Sequence, residues 1–298
     1  MRPGDIDAGL GFCRASGWNQ TAADWSCFLR ANAAGCRVAM EGGEVAGTVT
    51  TLRFEDRFAW ISMLLVAPEL RGRGIGTALL MEALRVLDDV PCVRLDATPA
   101  GKQVYDKCGF EDEYPLARMR GERVTVGAAD GARRMTERDF EGVLKLDREV
   151  FGADRRVVLE HLRESAPEYA WVMEAGGEIA GFALGRHGVR AEHVGPVVAR
   201  DAGMAWALTS ACVSPWQGGI APLAQQPARI NREVRSNDCP ESEKAWLLDA
   251  AGHSDAWKRR LEAAGFREER PFMRMFRGKR PEWGRPEAQF AIAGPEFG

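Results

Sequence analysis

Apolar positions follow two rhythms along the first third of this chain. The stretch DIDAGLGFCRASG opens on the capping acid Asp5 and closes at Gly17, which suits a short helix. TAADWSCFLRANA carries Thr21 and Asp24 in the spacing of a capping box, with Asp in place of the usual Glu. Its Trp25, Phe28 and Leu29 share one helical face. Strand-like runs follow at residues 37–41, 45–54 and 60–66. The helical period returns over 74–87, where Ile75, Leu79, Leu80, Ala83, Leu84 and Leu87 form the side to be buried. A strand is predicted at 93–97, a helix at 99–107, and two closing strands begin at Phe110 and Leu116. Helices, antiparallel strands and a strand–helix–strand crossover predict an α/β chain, a mixed α+β sandwich around one sheet.

The chain then repeats itself. MEGGEVAG at Met40 returns as MEAGGEIAG at Met173, each a strand, a Gly-Gly turn and a returning strand. Gly109-Phe110 returns as Gly265-Phe266, and Arg118-Met119 as Arg274-Met275, both 156 residues later. The hairpins lie closer together than that, so the second copy carries an insertion, expected near 213–243 as a surface loop. The expected organisation is a unit at 1–122, a second at 123–278, and an extended tail at 279–298 that packs on the body and is free to complete the edge of the first sheet.

Composition narrows the function. Hydrophobic residues make up 45% and charged residues 28% of the 298 positions, with a net charge of −3, which speaks against nucleic-acid and membrane partners. The N-terminal stretch lacks the apolar core of a signal peptide. Seven scattered cysteines without a C-x-x-C and four histidines without helical pairing offer neither a disulfide framework nor a metal site. The expectation is a reduced, cytoplasmic, metal-free protein.

PELRGRGIGTALL, from Pro68 to Leu80, packs three glycines and two arginines into the six residues 71–76, where the helix at 74–87 begins. A strand, a glycine turn and a helix start form an anion-binding geometry. The first helical amides lack partners and carry the positive end of the dipole, and arginines add full charge. A Rossmann fingerprint fails because Leu79 stands where its third glycine belongs, and a P-loop fails for want of a lysine before Thr77. The pattern that fits is Q/R-x-x-G-x-G/A, read from Arg71 to Gly76.

With its preceding V-x-P turn, its following helix and YDKCGF beyond the next strand, LLVAPELRGRGIGTALL resembles the acetyl-CoA motif of the GNAT superfamily of N-acetyltransferases. The whole chain is similar to bacterial tandem-GNAT proteins, with GWNQT near the start, LDATPAG before the tyrosine and an AGPEFG-like end. The resemblance implies two GNAT-like domains, each a mostly antiparallel twisted sheet flanked by helices. It implies that Leu64, Leu65 and Val66 offer backbone to the pantetheine arm. Arg71, Gly72, Arg73, Gly74, Ile75, Gly76 and Thr77 would cradle the pyrophosphate, and Thr98 would stand where many members carry an Asn. Tyr105 would be the general acid, and the GWNQT connection, with Trp18 and Asn19, would border the amine pocket. For the base, Glu55 is preferred over Asp56 and Asp96, with a water chain as the alternative.

The second unit has lost these features. Leu261 stands where a second tyrosine would be, and the worn turn at 200–205 places Asp201 where a phosphate would sit. The first unit is therefore expected to transfer acetyl from acetyl-CoA to an amine, a small-molecule or amino-acid-like acceptor, in a ternary complex. The alternative is a non-catalytic acyl-CoA sensor.

Overall fold

The computed structural model of the chain describes residues 1–214 and 245–298. The expected insertion at 213–243 falls, beyond Ser214, outside the described residues. Two helices open the chain, α1 (Ile6–Ala15) and α2 (Ala22–Asn32). The predicted capping box forms: Asp24 accepts from the Thr21 amide at 2.7 Å, and the Thr21 hydroxyl accepts from the Asp24 amide at 3.4 Å. An antiparallel meander follows in β1 (Arg37–Glu41), β2 (Glu44–Phe54) and β3 (Phe58–Val66). Next come α3 (Ile75–Val86), β4 (Cys92–Ala97) and α4 (Pro99–Lys107). The two closing strands expected here are one strand, β5 (Glu111–Gly121), which continues through Pro115.

The second copy repeats the order. β6 (Arg133–Arg134), α5 (Phe140–Phe151) and α6 (Arg156–Ser165) lead into β7 (Trp171–Ala175), β8 (Glu178–Arg186) and β9 (Ala191–Ala199). α7 (Ala202–Val213), β10 (Ala245–Ala251), α8 (Asp255–Ala263), β11 (Arg267–Gly278) and a short β12 (Gln289–Ala291) complete the described chain.

The strands form one twelve-stranded sheet in the order β1-β2-β3-β4-β11-β5-β10-β12-β9-β8-β7-β6. The closing strands have changed places. β11, from the second copy, pairs antiparallel with β4 of the first (Met273 opposite Ala97), and β5, from the first, pairs antiparallel with β10 of the second (Leu248 opposite Met119). β5 and β11 also pair with each other from Arg120–Arg267 to Glu111–Phe276.

Alternating side chains bury both faces of the sheet. Phe58 and Trp60 join Trp25, Phe28, Phe151 and Phe182 in a core that both copies share, under α1, α2, α5 and α6. Ala59 and Ile61 point the other way, to Leu79, Leu80, Ala83 and Leu84 of α3. The face predicted for α3 is thus the buried one, and each fully buried leucine there stabilises by about 1.5–3 kcal/mol.

β12 is the tail strand, and it does not extend the first sheet's edge. It lies between β9 and β10, with Ala291 opposite Val197 and Ala250. The tail continues from there to Phe297, which is fully buried and stacked on Phe28 at 5.0 Å.

Candidate active site

β3 and β4 run parallel but pair only at Ala59–Val93 and Trp60–Arg94. Beyond Trp60 they diverge, leaving one backbone edge of each without a strand partner. A bulge in β3 marks the opening: Met63 takes a left-handed conformation (φ 50°), and its carbonyl accepts from the Thr48 hydroxyl at 2.8 Å. Such a conformation costs a non-glycine residue roughly 1–3 kcal/mol. In return it re-aims the strand beyond it, and Leu64, Leu65 and Val66 all line a cavity of about 1050 Å³ that fills the splay.

The α3 turn closes one end of that cavity. Gly74 caps the helix at φ 84° and Gly72 sits at φ 78°, a conformation in which side chains are strained. A Cβ at either position would meet nothing within 4 Å, so packing within the chain is not what calls for glycine. The first intrahelical bond is donated by Ala78 to the Gly74 carbonyl. The amides of Ile75, Gly76 and Thr77 therefore have no partner within the helix, and all three residues line the cavity. Arg71 joins them, steadied by the Val66 carbonyl (3.2 Å) and the Ser16 hydroxyl (3.3 Å). Arg73 does not: it lies off the cavity lining, with its guanidinium on Glu41 at 3.1 Å. The arrangement fits an anionic, phosphate-bearing ligand with a long arm laid along the free edges of β3 and β4.

α4 walls the other side. Thr98 caps it by accepting from the Gly101 amide at 3.2 Å, which leaves its hydroxyl proton free. Tyr105 lines the cavity, with its ring edge-on to Phe110 at 5.8 Å. Among the described residues its hydroxyl has no hydrogen-bond partner. Burial around the phenol pushes it up to about 12, so it keeps its proton across the neutral range.

The inner end holds Trp18, expected at the acceptor border, together with residues that the sequence did not assign to the site. Trp18 and Gln20 come from the α1–α2 connection, Arg118 from β5, Arg270 and Phe272 from β11, and Pro295 and Glu296 from the tail. Glu296 is buried and pairs with Arg186, which also holds Asp24 at 2.8 Å. Asp24 is in turn 3.2 Å from His161, so the capping acid of α2 ties the two copies together. Arg118 grips Asp249 with two bonds of 2.8 Å. Burial opposes the charge of Asp249, but Arg118 and His193 hold its carboxyl well below the usual range. Gln20 is 4% exposed, and its Oε1 has no hydrogen-bond partner among the described residues. A buried acceptor left unpaired costs about 1–3 kcal/mol.

Two expected site residues, Asn19 and Glu55, are not brought to the cavity, and the less preferred base candidate Asp96 is not free to act there. Asn19 is buried against the second copy, where Nδ2 donates to the Ala191 carbonyl (2.9 Å) and Oδ1 accepts from the amides of Arg190 (2.8 Å) and Ala191 (3.0 Å). Its amide is spent on that clamp, and its neighbour Gln20 lies in the cavity wall instead. Glu55 sits in the β2–β3 turn, at the far end of the hairpin from the bulge, with Arg148 at 2.8 Å and Arg57 at 3.3 Å. Burial raises its pKa, but the Arg148 bond, the Asp154 amide and the Arg57 charge together outweigh this and hold it below the usual range, which is wrong for a base. Asp96 does line the cavity, but both its oxygens are held by Arg274 at 2.8 and 2.9 Å.

The equivalent opening in the second copy is filled. β9 and β10 pair parallel from Ala191–Ala245 to Val194–Leu248, and where they part β12 enters. Asp201 caps α7 with its own carboxylate, accepting from the Met204 amide at 2.9 Å, where an anion would otherwise bind. Leu261 is fully buried in the core.

The chain belongs to the GNAT family of acetyltransferases. The Acetyltransferase (GNAT) family model matches residues 11–110, and an Acetyltransferase (GNAT) domain model matches residues 143–221. It is similar to holothin acyltransferase of Pseudoalteromonas sp. (strain SANK 73390), at 25% identity over 95% of this chain and 88% of that one. Among solved structures, a candidate acetyltransferase of Pyrococcus horikoshii aligns with a TM-score of 0.77 at 20% identity, covering 100% of this chain and 94% of that one. A tandem GNAT protein from the clavulanic acid biosynthesis pathway aligns at 0.57 and 16% identity, covering 88% and 89%. The protein is thus a tandem-GNAT acyltransferase. Among the described residues no helix is long and apolar enough to cross a membrane, and no cluster of His, Cys, Asp and Glu could hold a metal ion.

Proposed function

We propose that this protein is an N-acetyltransferase that moves the acetyl group of acetyl-CoA directly to the amine of a small molecule. The observation that carries the reading is the coincidence, in one cavity, of the amide-rich α3 turn, the free edge of β3 and the unpartnered Tyr105 hydroxyl. Arg71 and the amides of residues 75–77 would hold the phosphates, and the splay would take the arm. Strand amides beyond the bulge would stabilise the oxyanion formed when an amine attacks the thioester carbonyl. As the C–N bond forms and the C–S bond breaks, Tyr105 would give its proton to the departing sulfur. The attacking amine enters neutral, having passed a proton to water. No cysteine matches an acyl-enzyme motif, which favours direct transfer.

The strand β12 in the second splay supports one acyl-CoA site per chain. An acyl-CoA sensor would share the cradle but has no use for a free phenol or for a polar chamber beyond it, so the catalytic reading is preferred. Two measurements test it. A thermal shift with acetyl-CoA reads the cradle, and thiol release across a panel of amines reads transfer. Binding without thiol release from any amine would return the reading to a sensor.

A further inference from the structure

The inner chamber carries charges and an orphaned acceptor that cofactor binding does not use. Resting on the acyltransferase reading above, we propose that this chamber takes an acceptor bearing an acidic group as well as its amine. The amine lies at Glu296 and Gln20, and the acid lies on Arg270.

The amine side is built from two acceptors. Gln20 lies in the cavity wall, and its Oε1 is buried and meets no donor among the described residues. Buried carbonyl oxygens are almost always bonded, so this one calls for an N–H from the ligand. Glu296 supplies the charge. Its Oε1 is taken by Arg186, a guanidinium that already faces Asp24, while its Oε2 has no bond to a protein donor among the described residues. An ammonium or amine N–H is the group that satisfies both.

The acid side is a cation without a counter-ion. Arg270 lines the same cavity, half-buried, with its guanidinium over Phe272 at 5.3 Å. Among the described residues it makes no ion pair and no hydrogen bond. Its cross-strand neighbour Arg118 cannot share a partner with it, because both Arg118 bonds go to Asp249. Burial and the nearby Arg118 charge depress Arg270 below the usual arginine range, as expected of a cation awaiting neutralisation. Arg118 stands between the two ends: it is opposite Arg270 across the strands and lies within electrostatic reach of Glu296. The phosphate cradle is on the far side of β4, two strands away, and has its own arginine. The fork of Arg270 matches a carboxylate or a similar planar acid.

The test uses the full-length protein and amines in matched pairs, each acid-bearing amine beside its primary carboxamide. Thiol release gives kcat and KM, and calorimetry on CoA-loaded protein gives affinity. The wild type is expected to favour the acid member at least about tenfold in kcat/KM, the size of one charge-assisted bond. Arg270→Met should remove that preference through KM with kcat kept, Arg270→Lys should restore part of it, and Gln20→Leu and Glu296→Gln should weaken both members of a pair alike. Equal treatment of the pairs by the wild type overturns the proposal, as does a preference that survives Arg270→Met, or no binding of any pair to CoA-loaded protein. Failure of acetyl-CoA itself to shift the melting temperature would instead count against the acyltransferase reading.

Discussion

Tyr105→Phe isolates the proton donor from everything around it. The hydroxyl has no hydrogen-bond partner among the described residues, so its removal leaves no orphaned group behind. The ring keeps its edge contact with Phe110 at 5.8 Å. Stability should therefore change by no more than about 0.5 kcal/mol. A positioned general acid contributes about 10²–10⁴ in rate, or about 2.7–5.4 kcal/mol at 1.36 kcal/mol per decade. Here the lower end is expected. Burial pushes the phenol up to about 12, above the usual thiol value of about 8.5, so complete transfer to a free thiolate runs uphill. The phenol acts chiefly on charge that builds up on sulfur as the C–S bond breaks. Thiol release under saturating acetyl-CoA should fall about a hundredfold in kcat, with CoA affinity unchanged by calorimetry. Wild-type activity should show no alkaline loss from this group until pH nears 12. An unchanged kcat refutes the assignment, and a fall in kcat accompanied by lost CoA affinity makes Tyr105 a positioning residue.

Arg71→Met removes the cavity-lining cation of the α3 turn together with its bonds to Val66 and Ser16; CoA should bind about 10–100-fold more weakly by calorimetry, with less salt dependence. Phe297→Ala opens a void against Phe28 in the shared core; it should cost about 3–5 kcal/mol in denaturant unfolding. His187 is bonded to Glu168 at 3.0 Å and Glu192 at 2.8 Å, which raises it to about 9. A raised folded-state pKa gives stability that is fully present below about pH 6.5 and is lost as pH climbs through about 9. His187→Gln should flatten that part of the melting-temperature profile, by a small, salt-sensitive amount because the ring is partly exposed.

What could be read in advance was local. The α3 face follows from a period of 3.6, and the glycine turn is contiguous, so both the helix and its anion site are legible in a dozen residues. Within that turn the pattern could not separate Arg71 from Arg73. Which arginine faces the cleft depends on the left-handed Gly72 between them and on Glu41, 32 residues before Arg73. The GWNQT loop was legible as a border of the site, but the choice between Asn19 and Gln20 rests on a hairpin about 170 residues away that claims the Asn19 amide. Glu55 sits next to a strand end in sequence, and only the direction of the hairpin shows it to be the wrong end. Glu296 lies in the AGPEFG end that carries part of the resemblance, but nothing in that stretch marks it as an acid of the site.

The exchange of β5 and β11 was equally silent, because a strand paired in either copy carries the same alternation. Yet the exchange decides what the second copy contributes. Without it, β4 would lie against its own closing strand instead of β11. With it, β11 lies against β4, and residues of the second copy line the inner wall of the first copy's cleft. The tail completes the arrangement in a single pass. β12 enters the splay between β9 and β10, Ile292 donates its amide to the Asp249 carbonyl at 3.0 Å, and a few residues on Glu296 reaches the open cavity. The segment that fills one cleft thus furnishes the other. The second copy has kept the GNAT fold while its turn, its tyrosine position and its splay have all been given over to packing. Its Arg270 and Phe272 stand in the wall of the cavity in the first.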